Sequence, residues 1–334
     1  MLACTYTCLF INIMDTYNHI LHFIEINDFD DFAEFSSTQL QQADDNSNSG
    51  DTFLSSLQSR VKQVEEDSNK LPLMILDTML PRQILQIQIQ HPTLKSLMKH
   101  RYRQEIPTLG MLGMAKLSTG QTLPLKTGVE VEIIQMDKPT DSLPSDISDN
   151  GEEPWDISLR AGRRFIIDGD IDKTEEGWTE AQVKFLDSTT EEEDEVSEAS
   201  KPSMEDSSGM STIGDRMSVA RAISKAKQFT QPNGNMKNNA SLIERWIELA
   251  KENERHPGQI DVLLKQLGDI PPEHEPTERA LWVGALINPL PSMGVATEIR
   301  PQLLVSKKAE QRVQIALEGL LKSIKHMDGS ARLW

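Results

Sequence analysis

A serine in the C-terminal part of the chain has the setting of an exposed nucleophile. Ser292 follows Pro291 in the run Pro-Ser-Met-Gly, where a sharp turn would leave its hydroxyl accessible. A nucleophilic serine needs a base within hydrogen-bond reach, and the lysines that follow, Lys307 and Lys308, fall in a predicted helix without a catalytic fold around it. A connection between two helices is the plainer interpretation, and a stand-alone serine hydrolase using Ser292 is the alternative.

Two cysteines and two histidines near the start of the chain follow the order of zinc-finger ligands. The spacing of Cys4 and Cys8 fits such a site, whereas His19 and His22 stand one residue too close together. No lysine or arginine precedes Arg60, so this segment has no side chain to meet a phosphate backbone. We expect no metal ion here and no cofactor elsewhere in the chain.

The sequence motifs of common enzyme classes are absent. There is no Gly-x-x-x-x-Gly-Lys-Ser/Thr loop to hold ATP phosphates, no His-Glu-x-x-His zinc motif and no Gly-x-Ser-x-Gly nucleophile turn. Carboxylates are so abundant that pairing any two as acid and base would be arbitrary. We therefore predict that the chain is not an enzyme.

Charge and composition exclude further classes. The 334 residues hold 34 Lys and Arg against 52 Asp and Glu, and the net charge of −18 repels phosphate backbones, so nucleic acid is not an expected partner. A hydrophobic share of 37% with 5% aromatic residues predicts that part of the chain does not fold. Two cysteines cannot form a disulfide framework, which agrees with a reducing compartment.

The sequence carries no recognisable membrane or targeting signal. No uncharged apolar run reaches about 18 residues, so we expect a soluble protein without membrane contact. A signal peptide needs a positive first region, and a transit peptide is rich in arginine. We predict an intracellular protein and favour the cytoplasm, while a plastid or mitochondrial location stays open if the true N-terminus differs.

Shifts in composition divide the chain into predicted parts. They are a largely disordered N-terminal extension at 1–70, a β domain at 71–187 with an inserted loop at 137–154, an acidic and polar disordered insert at 188–240, a helical bundle at 241–326 and a tail at 327–334. The insert is predicted to be disordered because its acidic part has almost no bulky apolar residue to offset the entropy of ordering.

Hydrophobic periodicity predicts the elements of these parts. Ile84–Ile89 alternates apolar and polar residues, which indicates a half-buried strand, and Pro92 begins a helical pattern. Further strands are predicted at 71–76, 109–114, 128–136, 155–159, 165–167 and 181–186. Ser241 and Glu244 form a capping box at the first bundle helix. The other bundle helices are predicted at 259–267, after Pro276 and from about Ser306.

A series of short motifs accompanies these elements in a known order. Leu71-Pro72-Leu73 is followed by Met79-Leu80-Pro81 and then by the strand at 84–89. The later motifs are the strand at 127–133, Gly162-Arg163-Arg164-Phe165, the set Trp178, Ala181, Val183 and Phe185, the pair Leu281-Trp282, the run Asn288-Pro289-Leu290-Pro291 and a last helix ending near Ile324. Together they resemble the Lon N-terminal domain family, the substrate-recognition module at the front of the ATP-dependent Lon proteases.

Two positions depart from the family pattern. Arg82 stands where the family commonly has glycine, so this turn must avoid a positive φ or accept strain. After the second strand, the family's Phe-Glu-Pro-Arg-Tyr is replaced by Gln90-His91-Pro92-Thr93-Leu94, which keeps only the proline. A partner preference tied to those family residues is therefore not carried over.

The resemblance implies an α+β fold in which a PUA-like β-barrel precedes a C-terminal helical bundle. The chain resembles a stand-alone member of the family, without the ATPase and protease domains. The implied function is non-enzymatic recognition of exposed polypeptide segments for a separate protease, chaperone or ubiquitin-ligase component. A structural assembly subunit is a further alternative, and the oligomeric state stays open.

Three residues on a predicted strand are candidates for the binding site, if that site lies where the barrel meets the bundle. They are Met111, Leu112 and Met114, and methionine suits varied partners because its side chain repacks easily. The plainer interpretation places all three in the core.

Overall fold

The computed structural model describes residues 69–104, 107–116, 122–137, 154–186, 211–232 and 240–332. All of them belong to the unit Asn69–Trp334, and the other unit of the chain, Met1–Ser68, contains none of them. The predicted extension up to residue 68, with Cys4, Cys8, His19 and His22, therefore lies outside the described residues. The same holds for residues 138–153 of the predicted loop and 187–210, which include the acidic part of the predicted insert.

Six strands make up the β part of the described chain. They are β1 Lys70–Ile75, β2 Ile84–Ile89, β3 Thr108–Lys116, β4 Thr122–Asp137, β5 Trp155–Lys173 and β6 Thr179–Leu186. One prediction needs correction, because the segments 155–159 and 165–167 belong to the single 19-residue strand β5. The charged residues between them do not break the strand, since Arg163 pairs with Glu130 on the neighbouring strand β4.

The strands pair in the order β2-β5-β4-β3-β1-β6, and β5 pairs with β6 as well. β1 and β3 run parallel, and the other pairs are antiparallel. β5 is long enough to use residues 155–160 for β2 and residues 164–173 for β6. The pairings of β5, β4, β3, β1 and β6 therefore return to β5, whereas β2 lies at an end of the sheet order.

Two apolar clusters pack against the strands. The smaller cluster contains Leu71, Leu73, Leu112, Phe165, Ala181 and Val183, from β1, β3, β5 and β6. The larger cluster joins the sheet to the helices. Because successive side chains of a strand point to opposite faces, Met111 belongs to the larger cluster and its neighbour Leu112 to the smaller. The β and helical parts therefore share a core.

Seven helices complete the described residues. They are α1 Pro92–Tyr102, α2 Ser211–Lys227, α3 Leu242–Asn253, α4 Gln259–Leu267, α5 Pro276–Ile287, α6 Arg300–Val305 and α7 Ala309–Met327. The predicted capping box is confirmed, since the Ser241 N–H donates to Glu244 Oε2 at 2.8 Å and the Glu244 N–H donates to Ser241 Oγ at 3.3 Å. The last bundle helix begins at Ala309 instead of near Ser306, and the short α6 before it is missing from the prediction.

The expectation that residues 188–240 are disordered is wrong for part of that segment. α2 lies within it, and Ala222, Ala226 and Phe229 are fully buried in the larger cluster. The buried guanidinium of Arg279 on α5 donates to the Ala226 carbonyl at 3.2 Å, which satisfies a backbone group near the end of α2. The polar composition hid this helix because its buried stripe consists mainly of small residues.

Candidate functional site

Strand β2 begins at a tight turn formed by Leu80, Pro81, Arg82 and Gln83. The Gln83 N–H donates to the Leu80 carbonyl at 3.2 Å, and Arg82 has a φ of 72°. A positive φ directly after proline marks the third position of a type II turn, where glycine is favoured. Arg82 therefore accepts backbone strain at the position where the family commonly has glycine.

Side-chain hydrogen bonds hold this turn against the helices. The Arg82 guanidinium donates to the carbonyls of Leu267 and Asp269, at 3.2 and 3.0 Å, where α4 ends. The buried Gln83 side chain accepts from a backbone N–H of the turn and donates to the Asn288 carbonyl, both at 2.8 Å. The start of β2 is thus fixed to the ends of α4 and α5.

The backbone groups of β2 point alternately toward β5 and away from it. The Arg82 N–H donates to the Ala161 carbonyl and the Ala161 N–H donates to the Gln83 carbonyl, both at 2.8 Å, so Gln83 is hydrogen bonded to β5. Hydrogen-bonded and non-hydrogen-bonded pairs alternate along an antiparallel ladder, and the register of β2 against β5 has no shift. The residues whose N–H and C=O groups point away from β5 are Ile84, Gln86 and Gln88.

These outward backbone groups have no hydrogen-bond partner in the described part of the chain. Among the described elements, β5 is the one substantial neighbour of β2. Unpaired groups along an edge strand form a template for another strand, and proteins usually block such edges with charged residues, proline or bulges. Within its bounds β2 reads Ile-Leu-Gln-Ile-Gln-Ile, which contains no charged residue and no proline.

The side chains of β2 also alternate. Leu85 and Ile87 are half-buried against the larger cluster, and Gln86 and Gln88 are exposed. A strand laid along β2 would cover the accessible part of the two apolar side chains. We call the outward backbone groups of Ile84, Gln86 and Gln88, with the side chains of Leu85 and Ile87, the β2 edge.

The outer face of the sheet beside the β2 edge is charged. Arg160 on β5 lies directly opposite Ile84, and Glu132 on β4 lies directly opposite Arg160. Side chains directly opposite each other share a face of the sheet. Ile84, Arg160 and Glu132 thus form a row across three strands. This row leads into a shallow groove of about 410 Å³, which we call the charged groove. Its lining residues are Pro107, Thr108, Glu130, Glu132, Arg160, Gly162 and Arg163.

Some charged side chains of the charged groove are paired with each other and others are not. Arg163 donates to both carboxylate oxygens of Glu130, at 3.0 and 3.3 Å, and its guanidinium lies 3.8 Å from the ring centroid of Phe185. The side chains of Arg160 and Glu132, by contrast, make no hydrogen bond or ion pair with another residue that the structure describes. Arg160 is therefore available to a carboxylate that approaches from the β2 edge.

The structure places the three predicted binding residues in and beside the core. Met111 and Leu112 are 1% and 2% exposed, and Met114 is half-buried. Met111 and Leu112 belong to different clusters, so their side chains do not share a surface. For these two residues the placement agrees with the core interpretation, and a binding role for the three stays a prediction.

Ser292 is exposed in the loop after α5, and its hydroxyl accepts from the Gly294 N–H at 3.3 Å. Within the described residues, no hydrogen bond joins this hydroxyl to a lysine, a histidine or a carboxylate. The geometry gives Ser292 a contact within its own turn, and the hydrolase alternative gains no support from it.

The described residues contain no group of histidine, cysteine, aspartate and glutamate side chains arranged to hold a metal ion. None of the described helices combines the length and apolar character that crossing a bilayer requires.

The β2 edge is absent from the site residues that the sequence predicts. A signal for it exists, because an alternating strand without charge or proline is unusual at the edge of a sheet. That signal could not be used alone, since whether a strand lies at an edge depends on the pairing order of the whole sheet.

Comparison with known proteins identifies the class of domain that this fold and surface belong to. The family model of the ATP-dependent protease La (LON) substrate-binding domain matches residues 70–322, and the chain therefore belongs to this family. It is similar to the crystal structure of a Lon N-terminal domain protein from Xanthomonas campestris, with 16% identity, 75% of this chain and 97% of that chain covered, and a TM-score of 0.37. It is also similar to the N-terminal domain of the Mycobacterium avium complex Lon protease, with 14% identity, 75% and 98% coverage and a TM-score of 0.40. No curated protein matches the chain significantly.

Proposed function

We propose that the chain is a non-enzymatic polypeptide-recognition module, which binds exposed segments of client proteins for a separate protease, chaperone or ligase. The observation that carries this proposal is the match of residues 70–322 to a substrate-binding family. In the same proposal, the ring of pairings through β5, β4, β3, β1 and β6 is the PUA-like β-barrel that the resemblance implies. The proposed compartment is the cytoplasm.

The β2 edge supports recognition of polypeptides in general. Its outward N–H and C=O groups are complementary to a backbone, which every client shares, and its half-buried Leu85 and Ile87 are complementary to apolar side chains. Binding must also offset the entropy of ordering a flexible client, so we expect a dissociation constant of roughly 1–100 µM.

A titration with one protein in two states tests the proposal. Fluorescein-labelled lactalbumin is offered to the full chain either native or reduced and carbamidomethylated, so that the two probes share a sequence and net charge but differ in exposed segments. We expect an anisotropy increase with the unfolded probe and little change with the native one. Equal binding of both states, or binding of neither, would overturn the recognition proposal.

The hydrolase alternative is tested with the same unfolded probe. Incubation of the full chain with ATP and unfolded lactalbumin is expected to release neither phosphate nor peptides above background. Ser292→Ala should leave this result and the anisotropy titration unchanged. Cleavage that disappears in Ser292→Ala would establish the hydrolase and contradict the non-enzymatic proposal.

A further inference from the structure

We propose that the β2 edge binds its client as an added strand, and that the charges beside the edge select a segment with an acidic residue at one end and a basic residue at the other. The inference rests on the proposed function and names the site and the class of client. The client segment is extended, carries apolar residues at its inward positions and places the two charges four residues apart.

Backbone complementarity is the first argument for strand addition. The N–H and C=O groups of Ile84, Gln86 and Gln88 point away from β5 and have no partner among the described residues. Another extended chain presents donors and acceptors that repeat every two residues, about 6.6 Å apart. A helix cannot do so, because its backbone groups are already paired internally.

The apolar side chains fix which face of the client turns inward. Leu85 and Ile87 lie on the face that packs against the larger cluster, and both are half-buried. A client residue directly opposite either of them shares that face and lies within contact distance. Valine, isoleucine or leucine at these two client positions would therefore extend the core outward by one strand.

The charges beside the edge differ from one end of β2 to the other. Arg160 lies opposite Ile84 on β5, with Glu132 beyond it in the same row. Asp156 lies opposite Gln88, with Asp137 beyond it in the same row. The side chains of Arg160 and Asp156 make no hydrogen bond or ion pair with another described residue. The row between them holds Gln86 and no charged partner.

A client strand beside β2 continues these rows. An acidic side chain next to Ile84 would face Arg160 across one strand, and a basic side chain next to Gln88 would face Asp156. Neighbouring strands lie about 4.8 Å apart, so these side chains start about 10 Å apart across the intervening strand, a distance that arginine, lysine and glutamate can span. Along β2 from Ile84 to Gln88 the matching client motif is acidic-apolar-polar-apolar-basic, so a parallel client carries its acidic residue first and an antiparallel client carries it last.

Hydrogen exchange of the full chain tests strand addition residue by residue. The probes are the peptides acetyl-Glu-Val-Thr-Val-Lys-amide and acetyl-Lys-Val-Thr-Val-Glu-amide, which match parallel and antiparallel addition, and backbone amide exchange is followed by NMR with and without each peptide. We expect the amides of Ile84, Gln86 and Gln88 to exchange rapidly in the free chain and to slow at least tenfold with the matching peptide. The amides of Leu85 and Ile87 are bonded to β5 and should be protected in both states.

Two variants at one position separate the backbone donor from the side chain. Gln86→Pro removes an N–H that points away from β5, so the ladder to β5 is retained, whereas Gln86→Thr keeps the donor and changes only the side chain. We expect at least tenfold weaker peptide binding for Gln86→Pro and near-normal binding for Gln86→Thr. Thermal unfolding shows whether Gln86→Pro is folded, and the exchange experiment on the unmodified chain does not depend on it.

Charge selection is tested with peptides that keep the two valines. The Glu/Lys peptide whose order matches the direction of the added strand should bind about two- to fivefold more tightly than the reversed order and than versions with Glu at both ends or Lys at both ends. Arg160→Gln should abolish its advantage over the Lys/Lys peptide.

The outcomes distinguish failure of this inference from failure of the proposed function. Binding of unfolded lactalbumin without new protection of the three amides would overturn strand addition and leave the recognition function standing. Equal binding of all charge versions would overturn the selection rule. Protection that grows with protein concentration in the absence of peptide would show that a second copy of the chain occupies the edge, against the proposal.

Discussion

The Arg82 guanidinium donates to the Asp269 carbonyl at 3.0 Å, although 187 residues separate the two in the sequence. Arg82 makes this bond from a backbone conformation, with φ of 72°, that favours glycine. One residue therefore combines backbone strain with a side-chain tie between the turn before β2 and the segment after α4. The β2 edge begins directly after this turn, so its position depends on the tie.

Two substitutions of Arg82 separate the effect of its backbone strain from the effect of its side-chain hydrogen bonds. Arg82→Ala loses the side-chain bonds and keeps the unfavourable φ, and we expect the free energy of unfolding to fall by about 1–3 kcal/mol. Arg82→Gly loses the same bonds but relieves the strain, so it should be more stable than Arg82→Ala by about 1 kcal/mol. Urea unfolding followed by tryptophan fluorescence measures both. Equal stability of the two variants would contradict a strained turn.

Gln83 provides a second test of how the start of β2 is held. Gln83→Leu leaves a buried N–H of the turn and the Asn288 carbonyl without their partner, which should lower the free energy of unfolding by about 1–3 kcal/mol. Gln86→Leu is the matched control on the adjoining strand β2, since Gln86 is exposed, and it should change stability by no more than about 0.5 kcal/mol. Equal losses in the two variants would show that Gln83 does not anchor the turn.

Local patterns account for the parts of this fold that the sequence predicts well. The alternation of Ile84–Ile89 indicates a strand because the period of two is a property of the strand itself. The capping box of Ser241 and Glu244 is likewise complete within four consecutive residues. The position of Arg82 in the family pattern leaves two outcomes, a turn without a positive φ or a strained one, and the structure has the second.

The sequence does not predict features that depend on contacts between distant parts of the chain. The edge position of β2 follows from the order in which six strands pair. α2 is buried because α5 and α7 pack against it, and the Arg279 bond to the Ala226 carbonyl joins residues 53 apart. The burial of Met111 and Leu112 on opposite faces of β3 also depends on both clusters being present.

The buried residues of α2 and of the turn that follows it predict a stability effect in a segment whose composition indicates disorder. Phe229, in the turn directly after α2, is fully buried, and Phe229→Ala should lower the free energy of unfolding by about 3–5 kcal/mol. Met217 on α2 is 48% exposed, so Met217→Ala should have an effect below about 1 kcal/mol. Thermal unfolding of both variants checks the difference. A small effect of Phe229→Ala would mean that this segment is not part of the core.

The capping box of α3 predicts a dependence of stability on pH. Hydrogen bonds from the backbone and side chain of Ser241 hold the pKa of the Glu244 carboxyl below its ordinary value. A carboxyl with a lowered folded-state pKa stabilises the fold above its unfolded-state pKa, and this stabilisation is lost as pH falls through the folded-state value.

Glu244→Gln isolates that charge, because glutamine can still accept the capping hydrogen bond. At neutral pH we expect the variant to unfold with about 0.3–1 kcal/mol less free energy than the unmodified chain. The difference should vanish in acid, once the native carboxyl is protonated. Urea unfolding of both proteins from neutral to acid pH measures this difference. A difference that stays constant with pH would rule out a contribution from the charge.

Single N-methyl groups on the client peptide test most directly whether the chain recognises the backbone of an extended segment at the β2 edge. Each amide of the tighter-binding peptide, acetyl-Glu-Val-Thr-Val-Lys-amide or acetyl-Lys-Val-Thr-Val-Glu-amide, is methylated in turn, and binding to the full chain is measured by calorimetry. Only one edge of an added strand pairs with β2, so methylation of one alternate set of amides should weaken binding about tenfold while the other set binds nearly as well as the unmodified peptide. Equal effects at all positions, or none at any position, would contradict recognition by strand addition.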